Sequence, residues 1–269
     1  MSNNNIKRLT VPEIFLKKNK SKIVSLVSYT AQIARIVDKY TDVILVGDSM
    51  GMVLYGKKNT LSVTKEMMIE HGKAVVENTK RSLVVVDLPF GTYESSKKKA
   101  FNVAAEILSR TGASAVKLEG GIELADTINY LVERGIPVMG HVGLMPQRIN
   151  IKGKFVSQGK SSAEIKKIIA DAKSVESAGA FSMVVEAVKE SLGKKITKSV
   201  NIPTIGIGAG KYCDGQILVT DDMLGLFDSF TPKFVKKYAN LHKDIDEAIE
   251  KYREEVLNGI FPSTKNSYY

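Results

Sequence analysis

The sequence has a single cysteine and no tryptophan among its 269 residues. One cysteine excludes an intrachain disulfide and a metal site built from clustered cysteines, so we expect Cys213 to be an ordinary reduced thiol. No uninterrupted apolar run is long enough to cross a bilayer. The polar residues 1–10 also lack the apolar segment of a secretory signal peptide. We therefore expect a soluble, cytoplasmic protein that has no membrane partner.

Acidic residues are fewer than basic ones, which leaves a formal net charge of +10. The lysines lie in short groups, such as 97–99 and 236–237, on stretches predicted to be helix surfaces. Because no basic stripe with interleaved aromatic side chains is present, we expect no nucleic-acid partner. The positive charge instead favours small anionic substrates.

Several apolar runs end in an ionisable side chain. Such runs are typical of strands buried on both faces in a parallel sheet. A carboxylate at the end of a buried run is costly unless it leaves the core or has a partner. The pattern therefore predicts one site assembled from several strand ends. These ends are Asp48, Asp87, Glu119, His141 and Glu186.

Strand and helix patterns alternate about eight times, which favours βα units and a parallel sheet. Thr64 and Ser161 are predicted N-caps, and Gly112 is a predicted C-terminal cap. We expect a long functional loop at 142–160 and a final helix that begins at Thr231-Pro232.

This order of elements predicts a (β/α)₈ barrel formed by a single domain over residues 1–269, with a short N-terminal lead-in and a polar C-terminal tail. Active sites of such barrels lie at the carboxyl ends of the strands. An open doubly wound sheet is the alternative. It would not bring the ends of the second to sixth strands to one point.

Asp48, Asp87 and Glu119 offer oxygen ligands on successive strands. Three carboxylates brought together would repel one another unless a cation neutralises them. Oxygen ligands alone suit Mg²⁺. The alternative is that each aspartate caps the following helix, but acids on three successive strands favour a metal.

Three further strand-end residues are candidates for binding or catalysis. Lys117 shares one side of its strand with Glu119, so it forms a structural ion pair, neutralises a substrate charge, or does both. Glu186 follows an apolar run, which suits a general base, although a solvated carboxylate at a loop start is the alternative. A lone histidine is most often structural, but the position of His141 among the strand ends favours a substrate contact.

Six stretches of the chain carry a resemblance to a known family. They are Asp42–Gly51, Val86–Phe90, Ala115–Gly120, Ile136–Gln147, Ile202–Gly210 and Cys213–Val219. In this order they resemble the motifs of the ketopantoate (3-methyl-2-oxobutanoate) hydroxymethyltransferase family. Two short segments depart from the family pattern: Ser28-Tyr29-Thr30 stands where Ala-Tyr-Asp is usual, and Asp221-Asp222 where His-Asp is usual.

The resemblance implies a barrel of the phosphoenolpyruvate/pyruvate type. It implies transfer of a hydroxymethyl group from 5,10-methylenetetrahydrofolate to 3-methyl-2-oxobutanoate. The products are 2-dehydropantoate, for pantothenate and coenzyme A synthesis, and tetrahydrofolate. The reaction would pass through a Mg²⁺-stabilised enolate. A large homo-oligomer, typically a decamer, is also implied.

The resemblance further implies a role for each matching residue. Asp48 and Asp87 would bind Mg²⁺, with Glu119 in or beside its coordination sphere. Glu186 would accept a proton from the substrate. The contacts to the keto acid would come from Asp48, Ser49, Asp87 and Lys117.

Two other functions share parts of this pattern. A phosphoenolpyruvate-type barrel lyase, cleaving a C–C bond of a 2-oxo acid, would use the same metal and enolate. Such lyases typically carry a loop with a nucleophile or a cysteine, and we find no such loop here. A non-catalytic metabolite-binding barrel is the second alternative, and it would not need Glu186.

Overall fold

A computed structural model describes residues 7–227 and 231–268. The chain divides into two compact units, Met1–Val219 and Thr220–Tyr269. The expectation of one domain over 1–269 stays a prediction.

The first unit contains a closed barrel of eight parallel strands, in which each strand pairs with the next and the last pairs with the first. This arrangement confirms the predicted (β/α)₈ barrel. The strands are β1 (Ile23–Val27), β2 (Val43–Val46), β3 (Leu83–Asp87), β4 (Ala115–Lys117), β5 (Val138–Gly143), β6 (Ser182–Glu186), β7 (Thr204–Ile207) and β8 (Gly215–Val219).

Helices connect the strands and are also present in the second unit. The α-helices are α1 (Val11–Phe15), α2 (Ala31–Val37), α3 (Met50–Val53), α4 (Lys65–Val76), α5 (Lys97–Thr111), α6 (Ala125–Val132), α7 (Ile149–Lys152), α8 (Ser162–Ser177), α9 (Glu190–Ser199), α10 (Thr220–Met223) and α11 (Leu241–Leu257). Short 3₁₀ helices cover Ile122–Leu124, Pro146–Arg148 and Thr264–Asn266. None of the described helices is long and apolar enough to span a membrane.

The predicted caps are confirmed. The hydroxyl of Thr64 accepts the backbone N–H of Met67 at 3.2 Å and begins α4. The hydroxyl of Ser161 accepts the N–H of Glu164 at 3.2 Å and begins α8. Gly112 ends α5 with a φ of 73°, a left-handed conformation that glycine adopts without a steric penalty.

Two boundaries differ from the predictions. The last helix begins at Leu241 rather than at Thr231, because the N–H groups of Tyr238 and Leu241 donate to the carbonyls of Met223 and Leu224. The segment predicted as a loop at 142–160 holds the end of β5, a 3₁₀ helix and α7.

Burial of the strands follows from the barrel. All residues of β2, β3, β4 and β5 are buried, because helices cover the outside and side chains fill the inside. On β1 burial alternates instead, and Val24 is 49% exposed. The register pairs Asp87 with Lys117 and Gly143 with Glu186, so polar residues of neighbouring strands meet at the same end.

Candidate active site

The carboxyl ends of β2 to β6 carry the polar side chains that the strand pattern predicted. Asp87 and Glu186 are the last residues of β3 and β6, and His141 lies within β5. Asp48 and Glu119 each follow the end of a strand by two residues. With Lys117, the last residue of β4, they form a connected group that we call the acid cluster.

Asp87 is the centre of the first half of the acid cluster. Its Oδ2 accepts the backbone N–H of Asp48 at 3.0 Å. Its Oδ1 lies 2.9 Å from Nζ of Lys117, and both side chains are almost fully buried. The predicted ion pair of Lys117 therefore forms with Asp87. Whether Lys117 also meets a substrate charge stays a prediction.

His141 joins this half to Glu186. Nζ of Lys117 lies 3.4 Å from Nδ1 of His141 in hydrogen-bonding geometry. On the other side of the ring, Nε2 lies 3.2 Å from Oε2 of Glu186. Oε1 of Glu119 is 3.6 Å from Nδ1. Glu186 is the most exposed carboxylate of the cluster, with 15% of its side chain accessible, compared with 2% for Glu119.

Two carboxyl groups of the cluster resist ionisation. Burial, followed by the negative charge of Asp87, raises the pKa of Asp48 to about 7. Burial is also the main cause that raises the pKa of Glu119 well above its usual range, against the opposing charge of Lys117. Both shifts have the sign expected when burial penalises the charged form of an acid.

The pKa values of Lys117 and His141 shift in opposite directions. Burial acts to lower the pKa of Lys117, but the negative charges of Asp87 and Glu119 outweigh it and raise that pKa. Burial, reinforced by the charge of Lys117, lowers the pKa of His141. At neutral pH the cluster therefore contains a charged ammonium group next to a neutral imidazole.

Comparisons with known proteins show the family of this chain. The model of the family described as ketopantoate hydroxymethyltransferase matches residues 8–264. The chain belongs to the ketopantoate hydroxymethyltransferase family. A 3-methyl-2-oxobutanoate hydroxymethyltransferase of Sinorhizobium medicae is 53% identical over 262 residues, which cover 97% of this chain and 96% of that protein. The protein of that name from Paramagnetospirillum magneticum is 51% identical over 263 residues, covering 98% and 96%. The prediction of an enzyme of this family is confirmed.

Solved structures resemble this chain in fold. Phosphonopyruvate hydrolase in complex with oxalate and Mg²⁺ superimposes with a TM-score of 0.62 at 12% identity, covering 96% of this chain and 93% of that one. A 2,3-dimethylmalate lyase of the PEP mutase/isocitrate lyase superfamily gives a TM-score of 0.61 at 14% identity, covering 94% and 89%. At these identities the similarity shows the fold alone, and it agrees with the predicted (β/α)₈ barrel.

The residues of the acid cluster fit a small divalent cation. Mg²⁺ is often held by one or two carboxylates and completes its coordination with water and substrate. Asp48 and Asp87 are adjacent and buried, and Oδ1 of Asp87 is a buried atom without a hydrogen bond of good geometry. Within 7–227 and 231–268, no group of three His, Cys, Asp or Glu side chains is arranged as metal ligands. A third protein ligand at Glu119 stays a prediction.

Two residues of the site were not singled out from the sequence. Gln147, in the 3₁₀ helix after β5, donates from Nε2 to Oδ2 of Asp48 at 2.8 Å. Tyr93, in the loop after β3, donates from its hydroxyl to Oε1 of Gln147. Both are buried. The only sequence signal is that Gln147 closes the fourth family-like stretch, since neither residue lies on a periodic pattern.

Ser49 follows Asp48 and is half-buried at the start of α3. Its hydroxyl lies 2.8 Å from the hydroxyl of Tyr29, the one residue of its segment that keeps the usual family identity. The carbonyl of Tyr29 in turn accepts from Nδ1 of His71 at 2.7 Å. Ser49 therefore lies beside the acid cluster, and its contact with the keto acid stays a prediction. Asp221, the second departure, lies in α10 of the other unit.

Proposed function

We propose that this enzyme transfers a hydroxymethyl group from 5,10-methylenetetrahydrofolate to 3-methyl-2-oxobutanoate, giving 2-dehydropantoate and tetrahydrofolate. In the overall change the C3–H bond of the keto acid is replaced by a C3–CH₂OH bond. The folate supplies the CH₂ group and water supplies the hydroxyl oxygen. The product would enter pantothenate and coenzyme A synthesis.

The observation that carries the proposal is the continuous series of contacts from Asp48 through Asp87, Lys117 and His141 to Glu186. The series places a cationic group and a partly exposed carboxylate at one barrel mouth. Removal of a proton next to a ketone needs both: a base for the proton and positive charge for the resulting oxygen anion.

Glu186 has the position suited to the base. Its side chain is partly exposed, so a substrate at the mouth can reach it, while the other acids lie deeper. The rigid end of β6 holds it, since its carbonyl accepts the N–H of Leu144 at 2.9 Å. A Cβ added to the paired Gly143 would lie 2.3 Å from that carbonyl oxygen, so the glycine permits the close approach of the two strands.

Lys117 and the aspartates have the positions suited to the keto acid. When bound, Mg²⁺ would be held by Asp48 and Asp87, with Glu119 in or beside its coordination sphere. There it would supply positive charge to the carboxylate and keto oxygens of the substrate. Lys117 would hold the charge that develops on the keto oxygen. Ser49 and His141 would complete the contacts to the keto acid.

The family resemblance extends the proposal to a cytoplasmic homo-oligomer, typically a decamer. The apolar side chains that α11 exposes within the second unit support association with other subunits. They include Ile245, Ile249, Tyr252 and Val256.

The direct test mixes the protein with Mg²⁺, 3-methyl-2-oxobutanoate and 5,10-methylenetetrahydrofolate carrying a ¹³C-labelled methylene group. We expect labelled 2-dehydropantoate by mass spectrometry, and none when Mg²⁺ is removed with a chelator. Cleavage of the keto acid without folate would favour the lyase. Binding of the keto acid without any product would favour the non-catalytic barrel. Either result would contradict the proposed transferase.

A further inference from the structure

Gln147 is a buried glutamine whose side-chain amide has a partner at each end. Its Nε2 donates to Oδ2 of Asp48 at 2.8 Å and to the carbonyl of Leu88 at 2.9 Å. Because the carbonyl of Leu88 can only accept, the atom that contacts it must be the amide nitrogen, and the orientation of the amide is fixed. Its Oε1 must then accept, and it does so from the hydroxyl of Tyr93.

The backbone of Gln147 contacts a second acid. Its N–H donates to Oε2 of Glu119 at 3.0 Å. The N–H of Glu119 donates to the hydroxyl of Tyr93 at 3.2 Å, so the contacts form a closed circuit of Glu119, Tyr93 and Gln147, with Asp48 attached. Gln147 therefore donates one hydrogen bond to Asp48, which follows β2, and one to Glu119, which follows β4.

We infer that Gln147 is a positioning residue for the divalent cation, and that Tyr93 acts through it by fixing the orientation of its amide. Gln147 occupies one oxygen of Asp48 and so holds the carboxylate in a single orientation at the mouth of the barrel. A ligand whose orientation is already fixed binds a metal without loss of side-chain freedom. The inference rests on the proposed function only in taking Asp48 and Asp87 as metal ligands.

A structural role for Gln147 makes a different prediction. It would lower thermal stability and turnover without a specific change in metal affinity. Gln158 provides the matched control, because it is a buried glutamine after the same strand. Its Nε2 donates to the carbonyl of Val156 at 2.7 Å and to neither acid.

The test compares Gln147→Met and Gln158→Met with the wild type. Mn²⁺ is the probe, because carboxylate sites that suit Mg²⁺ also suit Mn²⁺. Free Mn²⁺ is measured by electron paramagnetic resonance without folate. We expect Gln147→Met to bind Mn²⁺ about tenfold or more weakly, as is typical when a hydrogen-bond partner of a metal ligand is lost. Gln158→Met should bind as the wild type does. Affinity in folded Gln147→Met within about twofold of wild type would overturn the inference.

Steady-state kinetics provide a second readout. The Mg²⁺ concentration for half-maximal rate should rise about tenfold in Gln147→Met, while kcat at saturating Mg²⁺ stays within about twofold. A fall in kcat with an unchanged Mg²⁺ requirement would identify a structural role instead and overturn the inference.

Tyr93→Phe keeps the glutamine and removes the hydroxyl that orients it, so it also serves if Gln147→Met does not fold. We expect it to weaken Mn²⁺ binding about threefold or more. Adding it to a folded Gln147→Met should change affinity by less than about twofold, since residues that act through one another are not additive. Independent, additive effects would overturn the role assigned to Tyr93.

Failure of this inference and failure of the proposed function give different results. If the wild type makes 2-dehydropantoate but Gln147→Met binds Mn²⁺ normally, the inference alone fails. If the wild type binds Mn²⁺ more tightly than Gln147→Met but forms no product, the proposed function alone fails. A folded wild type that binds no Mn²⁺ overturns the inference and the metal part of the function together.

Discussion

Nε2 of His141 lies 3.2 Å from Oε2 of Glu186, where β5 and β6 end side by side. The ammonium of Lys117 can only donate, so its contact makes Nδ1 of His141 the acceptor and leaves the ring proton on Nε2. Burial lowers the pKa of His141, so the ring is neutral near pH 7. The neutral imidazole thus lies beside Glu186 without adding a positive charge there. This neutral neighbour is consistent with the proposed role of Glu186 as the base.

The first prediction concerns Glu186. We expect Glu186→Gln to slow exchange of the C3 proton of 3-methyl-2-oxobutanoate with D₂O by at least about a hundredfold, because an amide is not a base. Mg²⁺ and the keto acid should still bind. Proton NMR in D₂O measures the exchange, and calorimetry measures the binding.

Glu190→Gln is the matched control for this variant. Glu190 is an exposed carboxylate at the start of α9, four positions further along the chain, and its replacement should leave exchange unchanged. Undiminished exchange in Glu186→Gln would show that another group removes the proton.

The second prediction concerns Asp48, which lies buried beside Asp87. Replacing it with Asn removes one of two like charges, so without a divalent cation Asp48→Asn should be more stable than wild type by roughly 1–3 kcal/mol. The same change should weaken Mg²⁺ binding at least about tenfold, because it removes a charged ligand. Mg²⁺ should therefore raise the Tm of the wild type and leave that of the variant nearly unchanged.

Thermal unfolding with and without Mg²⁺ measures both effects. Asp126→Asn, at an exposed position of α6, is the control and should keep the wild-type response. An equal Mg²⁺-induced rise in Tm for Asp48→Asn and wild type would remove Asp48 from the ligand set.

The third prediction compares two lysine–carboxylate pairs. Lys117→Met leaves Asp87 buried without its cationic partner, and we expect a loss of about 3 kcal/mol or more in the free energy of unfolding. Lys65→Met breaks a pair with Glu106 at a similar distance, 2.7 Å, but that pair is partly exposed. Its loss should lower the free energy of unfolding much less than the loss of the buried Lys117–Asp87 pair, because water screens the exposed charges. Urea denaturation measures both, and equal costs would mean that burial does not control the strength of these pairs.

The polar residues at the strand ends can be predicted because each of them ends an apolar run in the sequence. A buried strand that stops at Asp87 or Glu186 is visible as an apolar run that ends in a charge, and the barrel then brings the ends together. Gln147 and Tyr93 lie in irregular segments, where a residue's contacts depend on distant parts of the chain. The sequence could therefore predict the acids of the site but not the amide and hydroxyl that fix their orientation.

Predicted helix boundaries are also wrong where they depend on contacts with distant parts of the chain. The Thr64 cap was correct because its partner lies three residues away. The start of α11 was wrong because backbone hydrogen bonds to Met223 and Leu224 compete with the helix that Pro232 would otherwise begin. Sequence signals of this kind predict contacts between residues close in the chain. They do not predict the boundaries of segments whose hydrogen-bond partners are distant in sequence.

The fourth prediction concerns stability away from the site, at the end of α2. The carboxylate of Asp38 accepts the backbone N–H groups of Lys80 at 2.7 Å, Arg81 at 3.1 Å and Ser82 at 2.8 Å. Asn offers one acceptor oxygen where Asp offers two, so Asp38→Asn should lower the free energy of unfolding by about 2 kcal/mol at neutral pH. Asp126→Asn, whose carboxylate is exposed, should change it by less than about 0.5 kcal/mol.

The direction of the pKa shift of Asp38 determines how the difference in unfolding free energy between wild type and Asp38→Asn depends on pH. Burial acts to raise the pKa of Asp38, but the backbone hydrogen bonds from Ser82, Lys80 and Arg81 outweigh it and hold the pKa below its usual 3.8. Above the pKa that Asp38 has in the unfolded state, the ionised carboxylate contributes its full stabilisation to the fold. This contribution is lost as the pH falls through the lower pKa that Asp38 has in the folded state. Urea denaturation between about pH 7 and pH 3 should show the wild type losing its advantage over Asp38→Asn only at the acidic end. A difference that stays constant over this range would mean that the carboxylate contributes through its shape rather than its charge.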